Sequence, residues 1–150
     1  MTSPNRRNRA LQALAIGAGV LPLAALIVAA LTDGLGANPI EKVTHITGDW
    51  ALRFLLLCLC VTPLRRLIGW SWLAPLRRTL GLIAFGYASG HFLTFVVLDH
   101  FFDWQEIAAD VVKRRYVTAG FAAYLCLVPL AVTSTRAMIR RLGRRWVALH

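Results

Sequence analysis

The feature that most constrains this chain is a stretch of about 22 residues, 10–31, without a single charged side chain, followed by three more apolar runs at 50–64, 80–98 and 116–134. About 20 apolar residues rising 1.5 Å each are enough to cross a bilayer core of roughly 30 Å. Lipid cannot satisfy backbone N–H and C=O groups, so a run of this length must satisfy them internally, as a helix. The expectation is an all-α integral membrane protein, a helical bundle of four transmembrane helices with a fifth starting at about residue 146. A secretory signal is the rival reading of the first run, because Arg6, Arg7 and Arg9 precede it. The apolar core of a signal is usually about 7 to 15 residues, and further spans follow here, so the run is read as a span, kinked at Pro22. The second run is short and interrupted early by Arg53, whose guanidinium either snorkels to the interface or partners a cofactor carboxylate.

Composition supports this class. The 150 residues are 57% hydrophobic and 16% charged, too apolar for an ordinary soluble domain. A net charge of +10 would suit nucleic acid if it lay on one face of such a domain. Instead the arginines fall in short patches between apolar runs, so the expected partner is membrane lipid and not nucleic acid. With the N-terminus inside, twelve lysines and arginines lie in cytoplasmic segments and four outside, with Arg53 at a span end. That asymmetry predicts a cytoplasmic N-terminus. The connecting segments read as a turn-rich loop at 32–49, an interfacial segment at 63–78 with Trp70 and Trp72 as anchors, an acidic outer loop at 99–115 and a basic inner loop at 135–145. Cys58, Cys60 and Cys126 all lie in apolar runs and read as small buried hydrophobes rather than a disulfide framework.

One residue in the third run has no obvious place there. His91 is an ionisable side chain within a span, and such residues mark sites or relays by default. About 18 Å of helix separates it from the inner end near Thr79, which places it in the outer half of the bilayer. Ala88 and Ala84 lie one and two turns before it, with Thr94 and Phe95 on the turn after. Small residues there would leave flat space beside the imidazole, which suits haem, whose iron takes a neutral ring nitrogen. The alternative is a neutral packing histidine bonded to a neighbouring helix. His45 and His100 are expected at the outer surface. A second ligand at the depth of His91 would fall about 12 residues into the fifth span, near position 158, and His150 lies too near the inner face to share one haem with His91. On its own chemistry His150 also reads as the last residue of a frayed end.

Several blocks, taken together, resemble a known family. They are 35–41 (Leu-Gly-Ala-Asn-Pro-Ile-Glu), 45–48 (His-Ile-Thr-Gly), 88–92 (Ala-Ser-Gly-His-Phe), 114–120 (Arg-Arg-Tyr-Val-Thr-Ala-Gly), 129–134 (Pro-Leu-Ala-Val-Thr-Ser), 140–146 (Arg-Arg-Leu-Gly-Arg-Arg-Trp) and the pair Leu149 and His150. In order and spacing they resemble the haem-binding membrane subunits of bacterial protein-methionine-sulfoxide reductase systems, the MsrQ or YedZ family. The resemblance implies a single ferric-reductase-like transmembrane domain of about six spans in the bacterial inner membrane. It implies haem b and flavin mononucleotide (FMN) as cofactors, electrons drawn from the quinone pool of the respiratory chain, and delivery to a periplasmic molybdopterin-containing catalytic subunit in a heterodimer. The chain would then be an electron-transfer subunit for repair of oxidised envelope proteins, with no catalytic residues of its own.

The resemblance also implies that His91 and His150 are ligands of haem iron. A further family histidine lies deeper in the fifth span, beyond residue 150, so the sequence is expected to be part of a longer protein. The third span departs from the wider ferric-reductase pattern in holding one histidine instead of two. The reading kept beside this one is a non-redox multi-span scaffold or small transporter in which His91 packs or relays protons. A thiol-oxidising four-span protein would need cysteine pairs in the outer loops, which have none.

Overall fold

The computed structural model describes residues 4–32 and 34–150, which are helical or turn throughout, with no strand among them. Asp33, one of the acids of the expected 32–49 loop, lies outside the described residues. Two compact units divide the chain, Met1–Phe95 and Val96–His150.

The first unit is built from α1 (Pro4–Leu31), α2 (Pro39–Ile68), a single 3-10 turn (Ser71–Leu73) and α3 (Ala74–Leu93). Phe54, Cys58 and Val61 recur on one face of α2, and Leu80, Ala84 and Tyr87 on one face of α3, each set at the i, i+4, i+7 spacing of a helical stripe. The two stripes meet, and Leu73 from the 3-10 turn joins the same cluster. Ala84 is 1% exposed, a small side chain where the two helices press together. Aromatic stacking continues the seam, with Phe54 and Tyr87 rings 5.6 Å apart and Trp50 and Phe54 5.5 Å apart. The Tyr87 hydroxyl donates to the Gly19 carbonyl at 2.6 Å, tying α3 to α1. A buried bond of this kind contributes about 1 kcal/mol net.

A π-helical turn, Thr94–Asp99, continues α3, and the second unit begins within it at Val96. It holds α4 (Trp104–Lys113), α5 (Arg115–Val132), α6 (Arg136–Leu142) and α7 (Arg144–Leu149). Phe101 and Phe102 take left-handed backbone angles, φ 44° and 64°, in the tight turn that leads into α4.

The fold class is the one the sequence predicts, an all-α membrane protein. Among the described residues, three helical stretches are long and apolar enough to cross a membrane: Arg6–Leu31, Ala74–Asp99 and Arg115–Val132. The fourth expected span, 50–64, lies inside the longer α2. Leucines such as Leu14, Leu21 and Leu31 stand on outward faces of α1, the apolar exposure that a lipid-facing helix shows.

Three expected loops are largely helix. The 32–49 segment enters α2 at Pro39, because Asn38 accepts the Glu41 N–H, its amide donates to the Glu41 carboxylate at 2.8 Å, and Pro39 supplies a preset φ at the first helical position. At the far end α2 runs through Pro63 to Ile68 and stops at Gly69, whose φ of 74° is the left-handed cap geometry that glycine adopts without strain. The acidic 99–115 segment contains α4, capped by the Asp103 carboxylate accepting from the Gln105 and Glu106 N–H groups. In 135–145, the Thr135 hydroxyl caps α6 by accepting the Met138 N–H. Trp146, the expected start of a fifth span, lies in α7.

Candidate functional site

His91 lies near the C-terminal end of α3, half-buried against α2. Its Nδ1 is 2.9 Å from the Thr44 carbonyl oxygen. A carbonyl only accepts, so Nδ1 carries the hydrogen, and the ring is held with Nε2 as its other nitrogen. Among the described residues nothing hydrogen-bonds to Nε2 and no ion pair is made to the ring. Gly48 faces the same imidazole: a Cβ placed there would stand 3.1 Å from both Cε1 and Nδ1. On the α3 side the Thr94 hydroxyl donates to the His91 carbonyl at 2.8 Å, and the Thr44 and Thr94 hydroxyls are 3.4 Å apart. The π turn begins at Thr94, three residues after the histidine, a backbone irregularity of the kind often found beside functional residues.

This geometry corrects one expectation in part. Flat space beside His91 is expected at Ala84 and Ala88, but Ala84 is packed into the α2–α3 core with Phe54 and Tyr87. The small residue against the imidazole itself is Gly48, on the opposite helix. Sequence reasoning passed over it, although a glycine well inside a helix, roughly 1 kcal/mol less favourable than alanine there, is a signal that the backbone needs space.

The residues present fit a haem ligand. Metal-bound histidines usually donate their second ring N–H to a carbonyl or carboxylate, which fixes the tautomer and raises ligand basicity. The Thr44 carbonyl does this for His91, and Gly48 provides a cradle that any side chain would fill.

Arg53 projects from α2 with more than half of its side chain exposed, 3.9 Å from the Asp49 carboxylate and with its guanidinium 4.8 Å from the Trp50 ring centroid. His45 is exposed and 3.8 Å from the Glu41 carboxylate. In the second unit, His150 stacks on Trp146 with ring centroids 4.2 Å apart, and its Nε2 is 3.1 Å from the Leu130 carbonyl and 3.5 Å from the Ser134 hydroxyl. His150 is thus packed rather than frayed. His100 is buried, 6% exposed, with Nδ1 3.6 Å from Asp99 and Nε2 3.4 Å from Asp110. Asp110 also meets Arg114 at 3.3 Å. The Tyr116 hydroxyl and the Asp110 carboxylate hold the Arg114 guanidinium above its ordinary pKa. Cys58, Cys60 and Cys126 are free thiols; Cys58 is buried as expected, whereas Cys60 and Cys126 stand on exposed helix faces.

Comparison with known proteins matches residues 47–150 to the ferric reductase like transmembrane component, more than half of the chain. The chain belongs to the ferric-reductase-like transmembrane family. It is 57% identical over 134 residues to a protein of Herminiimonas arsenicoxydans named protein-methionine-sulfoxide reductase heme-binding subunit MsrQ, an alignment covering 89% of this chain and 62% of that one. Proteins of the same name from Rhodospirillum rubrum and Ralstonia nicotianae are 58% and 49% identical, covering 77% and 87% of this chain and 56% and 61% of theirs. The resemblance read from the sequence blocks is therefore shown, and the chain spans about three fifths of the length of these relatives. No solved structure matches it.

Proposed function

We propose that this chain is part of a haem-binding electron-transfer subunit in the bacterial inner membrane, in which His91 would hold the haem iron. The observation that supports the reading most is the state of His91: Nδ1 is committed to the Thr44 carbonyl, and the imidazole lies in a membrane-span helix with no ion-pair partner among the described residues. A packing histidine needs its polar atoms satisfied, whereas a ligand needs one nitrogen directed by the other. Relatives named as heme-binding subunits support the same assignment.

Bound haem would supply a one-electron iron couple. This chain's own contribution is to hold the ring orientation and tautomer at one ligand and to exclude water with the apolar faces of α2 and α3. His150 is proposed as a second ligand from the resemblance, and Arg53 as the partner of a cofactor carboxylate, for which its exposed and weakly paired guanidinium is suited. The remaining parts of the proposal rest on the resemblance. They are FMN as a further cofactor, quinone as the electron source, a periplasmic molybdopterin-containing methionine sulfoxide reductase as the acceptor, and no catalysis by this chain alone. The cytoplasmic N-terminus rests on the charge asymmetry.

Absorption spectra of the purified full-length protein test the reading. A Soret band with b-type α and β bands on reduction is expected. A colourless, folded preparation from haem-replete cells would instead favour the scaffold or transporter.

A further inference from the structure

We propose that the Thr44 carbonyl and Gly48 of α2 together form a positioning cradle for His91, the carbonyl fixing the Nδ1–H tautomer and the bare glycine letting the ring approach closely enough to be fixed. The inference rests on the ligand reading above and goes beyond it by assigning what sets the state of that ligand.

Thr44 and Gly48 are one helical turn apart on α2 and so share a face. The carbonyl of the first and the Cα of the second meet the same edge of the imidazole. A Cβ at position 48 would lie 3.1 Å from Cε1 and from Nδ1, closer than nine in ten real contacts of this type. Those atoms belong to a planar ring and cannot yield separately; the whole imidazole would have to shift by a few tenths of an ångström, which strains the 2.9 Å bond from Nδ1 to Thr44. Donation from Nδ1–H to a carbonyl gives the ring partial anionic character, which strengthens binding at Nε2 and favours oxidised over reduced iron. Gly48 and Thr44 are therefore positioning residues that act through His91. Gly81 is a natural control. It lies on α3 against α2, and a Cβ there meets only the Cys58 sulfur at an ordinary 3.4 Å.

The test uses the full-length protein in wild-type, Gly48→Ala, Gly81→Ala and His91→Ala forms, with haem affinity, midpoint potential and low-spin electron paramagnetic resonance as readouts. Gly48→Ala is expected to weaken haem binding roughly 10-fold, the lower end for losing an outer-shell partner, and to move the potential in the positive direction, while Gly81→Ala changes neither. Loss of the haem in His91→Ala alongside unchanged affinity and potential in Gly48→Ala would overturn the cradle and leave the ligand reading standing. Retention of that haem in His91→Ala would overturn both. Nitrogen NMR of histidine-labelled, haem-free wild-type chain gives a second measurement that does not depend on any variant folding. His91 is expected as neutral imidazole protonated at Nδ1, and the opposite tautomer would overturn the cradle.

Discussion

His91 in the first unit and His100 in the second, nine positions apart in sequence, are held by opposite chemistries. His91 is half-buried, bonded through one nitrogen to a backbone carbonyl, and among the described residues forms no ion pair. His100 is more deeply buried and has a carboxylate within 3.6 Å of each ring nitrogen, with Arg114 behind one of them. A metal ligand needs a neutral ring with one nitrogen left to coordinate. Of these two histidines, His91 has such surroundings and His100 does not. Burial alone would have pointed to His100; the partners of the two histidines, and not their depth, are what support the ligand proposal for His91.

The comparison can be broken from either side. Ala84→Leu should have the largest effect on stability, lowering it by about 3 kcal/mol, because the site is closed between α2 and α3 and added methylenes must displace one helix. Denaturant unfolding in detergent would measure it, and the Thr44–His91 bond should be lost with the same displacement. Asp110→Asn removes a charged partner from buried His100 and should cost about 2 kcal/mol. The haem spectrum should stay unchanged, since the His100 cluster has no part in the proposed ligand site. A changed spectrum would show that the two histidines are coupled and that the contrast is too sharp. Tyr87→Phe should cost about 1 kcal/mol by leaving the Gly19 carbonyl without its donor.

Much of this was legible in the sequence. Apolar runs gave the fold class, and 116–134 nearly coincides with α5. His91 was singled out by being ionisable within a span, and the ordered blocks gave the family. What was missed has physical reasons. Asn38 and Pro39 look like turn residues by composition, yet with Glu41 they begin a helix by capping it. The acids of α4 looked like a solvated loop, but Asp103 and Glu106 stand at capping positions while Ile107 is buried beneath them. Ala84 and Gly48 could not be told apart as neighbours of His91, because helical spacing along α3 places Ala84 on its own helix but says nothing about which residue of α2 lies opposite.

The central claim is that His91 binds haem iron, and the most direct measurement is the reduced-minus-oxidised spectrum of full-length His91→Ala compared with His45→Ala at equal membrane insertion. The account predicts loss of the haem signal served by His91 in the first variant and a wild-type spectrum in the second, because His45 is exposed and paired with Glu41. A full haem complement with unshifted bands in inserted His91→Ala protein would contradict it.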